Sequence, residues 1–248
     1  MDADAFTKPF QLTKVMRRGP YAAIDPENPS LSAAAVRSRH PADVTSEEEV
    51  EALFASVKEK YGRLDALVNT AGTMHHEAGI QDISPGAWWQ DFETNVKATF
   101  LTTHFYAKLF GGSGTIANIV SLAAFLSAPS MSSYSAAKLA QIKFGELVGL
   151  EHPALRVFSV HPGLVEAEDG RGMVVPNFTP FAKDKAILTG GLSLFLATPR
   201  ADKLAGTFLS VNWDVDEILS HIDEIVEQKL LTVGVHAQLG PNGHPWSA

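Results

Sequence analysis

Four short apolar runs constrain this chain more than anything else in it. They are Leu64-Asp-Ala-Leu-Val-Asn69, Thr115-Ile-Ala-Asn-Ile-Val-Ser121, Leu155-Arg-Val-Phe-Ser-Val160 and Thr207-Phe-Leu-Ser-Val211. Each has the length and composition of a buried strand, and each is separated from the next by a stretch of helical periodicity. Strands alternating with helices imply an α/β fold, a parallel sheet covered by helices on both faces. Ligands of such sheets sit outside the carboxyl ends of the strands. Asn69, Ser121 and the turn His161-Pro162-Gly163 all fall there, so the pattern alone predicts a site at that edge.

The helices can be placed with some precision. Ser46 caps one, with Glu49 completing a capping box and Val50, Leu53, Phe54, Val57 and Tyr61 forming its apolar face; Gly62 ends it. Pro85 opens a second, running with room for a break through Trp88, Phe92, Val96, Phe100 and Phe105 to about Phe110. Further helices are expected over 133–150, 183–197 and 214–229. Residues 35–44 read as a short strand weakened by Pro41. Residues 1–34, punctuated by Pro9, Gly19-Pro20, Asp25-Pro26 and Asn28-Pro29, read as an N-terminal arm, leaving 35–248 as one α/β domain. Residues 164–182 read as a flap whose Met173, Val174, Val175 and Phe178 suit a hydrophobic substrate.

Composition removes several classes of function. With 248 residues the chain can bury one full core. A net charge of −8 without a basic stripe argues against nucleic acid. No cysteine means no thiolate nucleophile and no cysteine metal site. The acidic start lacks a signal-peptide core, and no apolar run could span a membrane, so a cytoplasmic protein is expected. His75-His76-Glu77 is read as a loop and not a metal site, because adjacent histidines point apart. Trp88-Trp89 is read as packing and His161 as structural.

Chemistry concentrates in four residues. Tyr134 and Lys138 are one helical turn apart and share a face. A nearby ammonium favours phenolate, so the tyrosine pKa is expected to fall from about 10 towards neutrality, making Tyr134 a general acid or base. Ser121 at a strand end can donate to a substrate oxygen. Asn95, inside a helix, can hold a water that links Lys138 to solvent.

These residues belong to an ordered set: Asp43-Val-Thr45, Asn69-Thr-Ala-Gly72, Asn95-Val96, Ser121, Tyr134-Ser-Ala-Ala-Lys138 and Pro162-Gly163. In that order and spacing the chain resembles the short-chain dehydrogenase/reductase family over roughly residues 36–212, and its ends look like a fungal branch. The resemblance implies a Rossmann-like sheet. It assigns Tyr134 as acid/base, Lys138 as its electrostatic partner and holder of a nicotinamide ribose, Ser121 as the carbonyl-orienting group and Asn95 as support for a proton relay. It also implies a homodimer through the 91–110 and 133–150 helices.

The departures matter as much. The family opens on a strand, a glycine-rich loop and a helix whose N-terminus holds the cofactor pyrophosphate. Residues 1–42 contain only Gly19, followed by Pro20, and leave no room for a strand–helix–strand passage of at least ~30 residues. Gly111-Gly-Ser-Gly114 precedes a strand and reads as a turn. Ala167 replaces a usual threonine on the nicotinamide side, and Thr70 a usual asparagine. If a cofactor is bound at all, the expected contacts are Asp43, Asn69, Gly72, Lys138, Pro162 and Gly163. The leading expectation is an enzyme without NAD or NADP and without metal, an isomerase or lyase acting on a carbonyl or enol of a hydrophobic secondary metabolite. An NAD(P)-dependent oxidoreductase and a silent partner protein are the alternatives. Loss of the family's first strand should also expose the edge of the 64–69 strand, to be covered by residues 36–42, the arm or a second subunit.

Overall fold

The structure, a computed structural model, describes residues 11–25, 40–75, 78–165 and 179–235. Chain order gives helix α1 (Glu47–Tyr61), strand β1 (Ala66–Asn69), helix α2 (Pro85–Phe92), a π-helical turn (Glu93–Lys97), helix α3 (Ala98–Phe110), strand β2 (Gly114–Ile119) and helix α4 (Ser132–Glu151). Strand β3 (Leu155–His161), helix α5 (Ala186–Leu196), strand β4 (Phe208–Ser210) and two short helices, α6 (Val215–Ser220) and α7 (Ile222–Glu227), follow. The strands form one sheet of order β1-β2-β3-β4, parallel throughout.

Alternation of side chains along each strand builds a core on either face. Ile116 and Val157 point to a cluster with Val50 and Phe54 of α1, Leu101, Phe105 and Tyr106 of α3 and Val148 of α4. Their neighbours Ala117, Phe158 and Val160 point to the opposite cluster, with Leu188, Leu192, Phe195 and Leu196 of α5. Burial on both faces explains why the central strands read as nearly continuous apolar runs.

The local signals hold. Ser46 accepts from Glu49 N and caps α1, and Gly62 closes that helix in the left-handed region at φ 70°. Gly111, at φ 83°, closes α3, so the Gly111–Gly114 segment is the expected turn. The break expected in the 85–110 helix is the π turn. Other expectations shift. Residues 40–44 are irregular and not strand, as Pro41 would impose; 35–39 lie outside the described residues. The 214–229 helix divides at His221 into α6 and α7. Of the expected flap, 166–178 lie outside the described residues.

The arm is an ordered wrap over residues 11–25. It does not run beside β1. It packs across the far end of the sheet, beyond β4, where Arg17 N donates to Asn212 O (2.7 Å), and Asn212 Nδ2 returns a bond to Arg17 O (2.9 Å). Thr13 and Tyr21 hydroxyls accept from Asp214 N and Val215 N (3.0 and 2.8 Å). The Arg17 guanidinium pairs with Asp214 and lies 4.4 Å from the Tyr21 ring centroid. Ile24, fully buried, sets its carbonyl directly on Gly191 of α5, where a β-carbon would overlap it. Among the described residues nothing pairs with the outer edge of β1, and Val68 there is 42% exposed.

Gly191→Ala is therefore expected to displace the arm and cost about 1–3 kcal/mol. A lower urea midpoint together with faster tryptic cleavage at Arg17 and Arg18 would show it; unchanged protection at both arginines would mean that the arm does not depend on this approach.

Candidate active site

Parallel register brings Asn69, Asn118 and Ser159 side by side near the carboxyl ends of β1, β2 and β3. Asn69 Nδ2 donates to Asn118 Oδ1 (2.9 Å), so Asn69 is committed to holding these strand ends together. Beyond β2, Ser121 accepts from Ala123 N (3.1 Å) and caps a short 3-10 turn. On the first turns of α4, Tyr134 faces Ser121, whose hydroxyl favours the phenolate form. Lys138, one turn later and buried, donates to Ile119 O (3.0 Å), with Nζ 5.7 Å from the Tyr134 ring centroid.

The loop after β1 presses on this group. A β-carbon at Gly72 would stand 2.8 Å from Asn95 Oδ1 and 3.4 Å from Lys138 Nζ, so only glycine passes here without displacing them. Asn95 lies in the π turn, whose extra residue re-aims its side chain. Its amide donates to Thr73 O (2.8 Å) and Asp91 O (2.7 Å), while Oδ1 is buried without a partner. A buried acceptor facing a lysine is where a bridging water is worth most. Tyr134, Lys138, Ser121 and Asn95 thus converge at one place.

Their electrostatics correct the sequence expectation. The Tyr134 pKa is not lowered towards neutrality; it is pushed up to about 12. Burial is the main cause, and the negative Asp91 adds to it, while Ser121 pulls the other way. Lys138 has turned its ammonium to the Ile119 carbonyl, and burial brings its own pKa down to about 8. At neutral pH the phenol keeps its proton.

Asp43, Pro162 and Gly163 do not join this group. Asp43 accepts from Thr45 N and Oγ1 (2.9 and 2.7 Å), which lowers its pKa and spends its carboxylate on its own turn. Gly163, at φ 79°, turns tightly over Asp184. Asp184 is fully buried; it accepts from Leu164 N (2.7 Å), Arg18 Nη1 (3.0 Å) and Asn212 Nδ2 (2.8 Å). This knot ties the arm to the Pro162-Gly163 turn. Ala167 lies outside the described residues.

Sequence reasoning missed Asp184, Arg18 and, above all, Asp91. Asp91 is buried one turn before Asn95 and accepts from Thr73, His75 and Ser133. An acidic residue inside an otherwise aromatic helical stripe was the available signal. His75 is in a loop as expected, His76 and Glu77 lie outside the described residues, and the described residues contain no cluster of three or more metal-ligating side chains. Trp88 stacks on Phe92 (4.9 Å between ring centroids) with Nε1 3.2 Å from Ser132 Oγ, and Trp89, though 58% exposed, sets its ring edge-on to Trp88 and Phe92 (5.0 and 5.5 Å). His161 is structural: buried, its Nδ1 accepts from Leu122 N (3.3 Å) and steadies the turn that follows Ser121.

Comparison with known proteins agrees with this geometry. The short chain dehydrogenase family model matches residues 31–173. The short chain dehydrogenase mpl6 of Monascus purpureus is 32% identical over 231 residues, covering 87% of this chain and 77% of that protein. The short chain dehydrogenase andI of Emericella variicolor is 33% identical, covering 77% and 67%. Among solved structures, a short-chain dehydrogenase/reductase from Burkholderia xenovorans superposes with a TM-score of 0.63 at 28% identity, covering 70% of this chain and 72% of that one. A 7α-hydroxysteroid dehydrogenase solved with NADH and 7-oxo glycochenodeoxycholic acid gives 0.62 at 25%, covering 69% and 71%. The chain belongs to the short-chain dehydrogenase/reductase family, with the α/β Rossmann-like architecture of that family. No helix among the described residues is long and apolar enough to cross a membrane.

Burial lowers the His161 pKa to about 3, against an ordinary value of 6.5. The unfolded chain therefore binds the extra proton between those two values, and stability must fall as pH drops below about 6.5. The loss from this one residue should reach ~2 kcal/mol near pH 5. Urea midpoints measured from pH 7 to pH 5 should drop more steeply for wild type than for His161→Asn; parallel slopes would remove His161 as the cause.

Proposed function

We propose that the chain is a short-chain dehydrogenase/reductase turned to proton transfer without a nicotinamide, an isomerase or lyase acting on a carbonyl or enol of a hydrophobic secondary metabolite. One contrast carries the reading. Tyr134, Ser121, Lys138 and Asn95 stand assembled, while the residues present fit only the nicotinamide-ribose half of a dinucleotide. Lys138 could meet a ribose. For the pyrophosphate the described residues offer no glycine-rich turn opening a helix after a strand. The helix that leads into β1 opens on Glu47, Glu48 and Glu49, a first turn that repels phosphate.

Chemistry follows from the site's own groups. A substrate carbonyl oxygen placed against Tyr134 and Ser121 receives the phenolic proton as an enol forms. The phenolate left behind is opposed by burial and by Asp91, and is offset by Lys138 once its ammonium leaves Ile119 O. The Asn95 Oδ1 site can hold the water that returns the proton.

A second reading, an NAD(P)-dependent oxidoreductase, draws on the NADH named for the 7α-hydroxysteroid dehydrogenase relative in structure and on the retained Lys138. Calorimetric titration with NADH and NADPH to millimolar concentration separates the two. No heat of binding is expected, and saturable binding would establish the oxidoreductase instead. Alongside it, α-proton exchange of the aromatic ketone 2-tetralone in D2O should be accelerated by the wild type and fall about 100-fold in Tyr134→Phe.

The same proposal extends to assembly. Phe100 of α3 and Leu147 and Leu150 of α4 are exposed apolar side chains on the helices expected to form a homodimer. Light scattering should give twice the chain mass, and Leu147→Glu should return it to one; a wild-type monomer would remove the dimer.

A further inference from the structure

A proton-transfer reaction at a carbonyl needs two groups, one for the oxygen and one for the carbon. Tyr134 serves the oxygen. With its pKa at about 12 it holds its proton and cannot also be the base for a C–H bond. Lys138 is occupied at Ile119 O. A base must come from elsewhere.

Asp91 points to it. A fully buried carboxylate is costly unless its oxygens are satisfied. Oδ1 accepts from Thr73 Oγ1 (3.1 Å) and takes His75 Nδ1 at 2.9 Å; Oδ2 accepts from His75 N (3.1 Å) and Ser133 Oγ (2.6 Å). His75 is its only ion-pair partner among the described residues. An ionised carboxylate only accepts, so the imidazole facing it must carry its proton on Nδ1. Nε2 is then left with a lone pair. Among the described residues nothing bonds to Nε2, and the His75 side chain keeps 35% of its surface exposed.

The placement is as telling as the tautomer. His75 lies in the loop that follows β1, whose Gly72 stands against Asn95 and Lys138. Met74, its neighbour, packs on the cluster of Ala123, Met131 and Tyr134. Ser133, which bonds Asp91, precedes Tyr134 on α4. One carboxylate therefore fixes the imidazole and the tyrosine's helix together.

We infer that His75 is a second acid–base residue of this site, oriented by Asp91 and presenting Nε2 to the carbon end of the substrate. The step balances without an oxidant. Nε2 takes a proton from the carbon beside the carbonyl. That C–H pair becomes the enol double bond, and the carbonyl pair takes the Tyr134 proton. Imidazolium then returns its proton to the same carbon or to a conjugated one, and the enol proton goes back to Tyr134. Asp91 is a positioning residue. The inference rests on the proton-transfer reading, and the test keeps their failures apart.

Imidazole 15N spectra of the wild type in mildly alkaline buffer should show His75 as the Nδ1–H tautomer, and Asp91→Asn should lose that preference. Tyr134→Phe should keep it. In the 2-tetralone exchange assay, His75→Gln, which can still bond Asp91, should lose about 100-fold. An Nε2–H tautomer overturns the inference. So does exchange lost in Tyr134→Phe but kept in His75→Gln, which leaves the proton-transfer reading standing. Exchange kept in Tyr134→Phe but lost in His75→Gln overturns Tyr134 as the acid at the oxygen and supports the histidine as the base at the carbon. Wild-type exchange no faster than buffer overturns both.

Discussion

Everything at the site depends on parallel pairing. Because β1, β2 and β3 run the same way and pair in register, every loop that leaves a strand's carboxyl end leaves on the same edge of the sheet. Gly72, Ser121 and Gly163 are far apart in sequence and emerge along one line. Helix α4 then supplies Tyr134 and Lys138 to that line, and the π turn supplies Asn95. A slip of one residue between β1 and β2 would part Asn69 from Asn118 and turn the apolar residues of each strand to the wrong face.

Burial then decides the protonation states. Two pKa units on Tyr134 correspond to roughly 3 kcal/mol against the phenolate. The Lys138 ammonium does not offset this, because it is satisfied by a backbone carbonyl and because Asp91 sits in the same low-dielectric pocket. A group that draws Lys138 from Ile119 changes the balance directly. In the resting protein the Tyr134 phenol is protonated.

Much of this was legible in the sequence. Four strands, the caps at Ser46 and Gly62, the turn at Gly111 and the interrupted 85–110 helix follow from periodicity and local turn chemistry, and the grouping of Tyr134, Lys138, Ser121 and Asn95 from the family resemblance. The phenol's protonation state was not legible, because it depends on where Lys138 Nζ points and on a buried aspartate that no spacing rule singles out. Asp91, His75 and Ser133 are separated by up to 58 positions and meet only through the loop after β1 and the start of α4. The Arg18–Asp184–Asn212 knot is of the same kind, its Arg18–Asp184 bond alone joining residues 166 positions apart.

The arm shows how the two ends of the sheet are treated differently. At the β4 end it is held by backbone bonds to Asn212, by the Arg17–Asp214 pair and by Ile24 against Gly191. Its described residues, 11–25, therefore lie at the β4 end, opposite β1. An exposed strand edge invites pairing with another chain, and the hazard grows with strand length and flatness. Here β1 has four residues, and its side chains alternate between exposed and half-buried. Arg63 and Asp65, paired with each other just before it, put charge at its start. Short length and flanking charge discourage pairing at such an edge, and among the described residues no strand lies on the side of β1 away from β2.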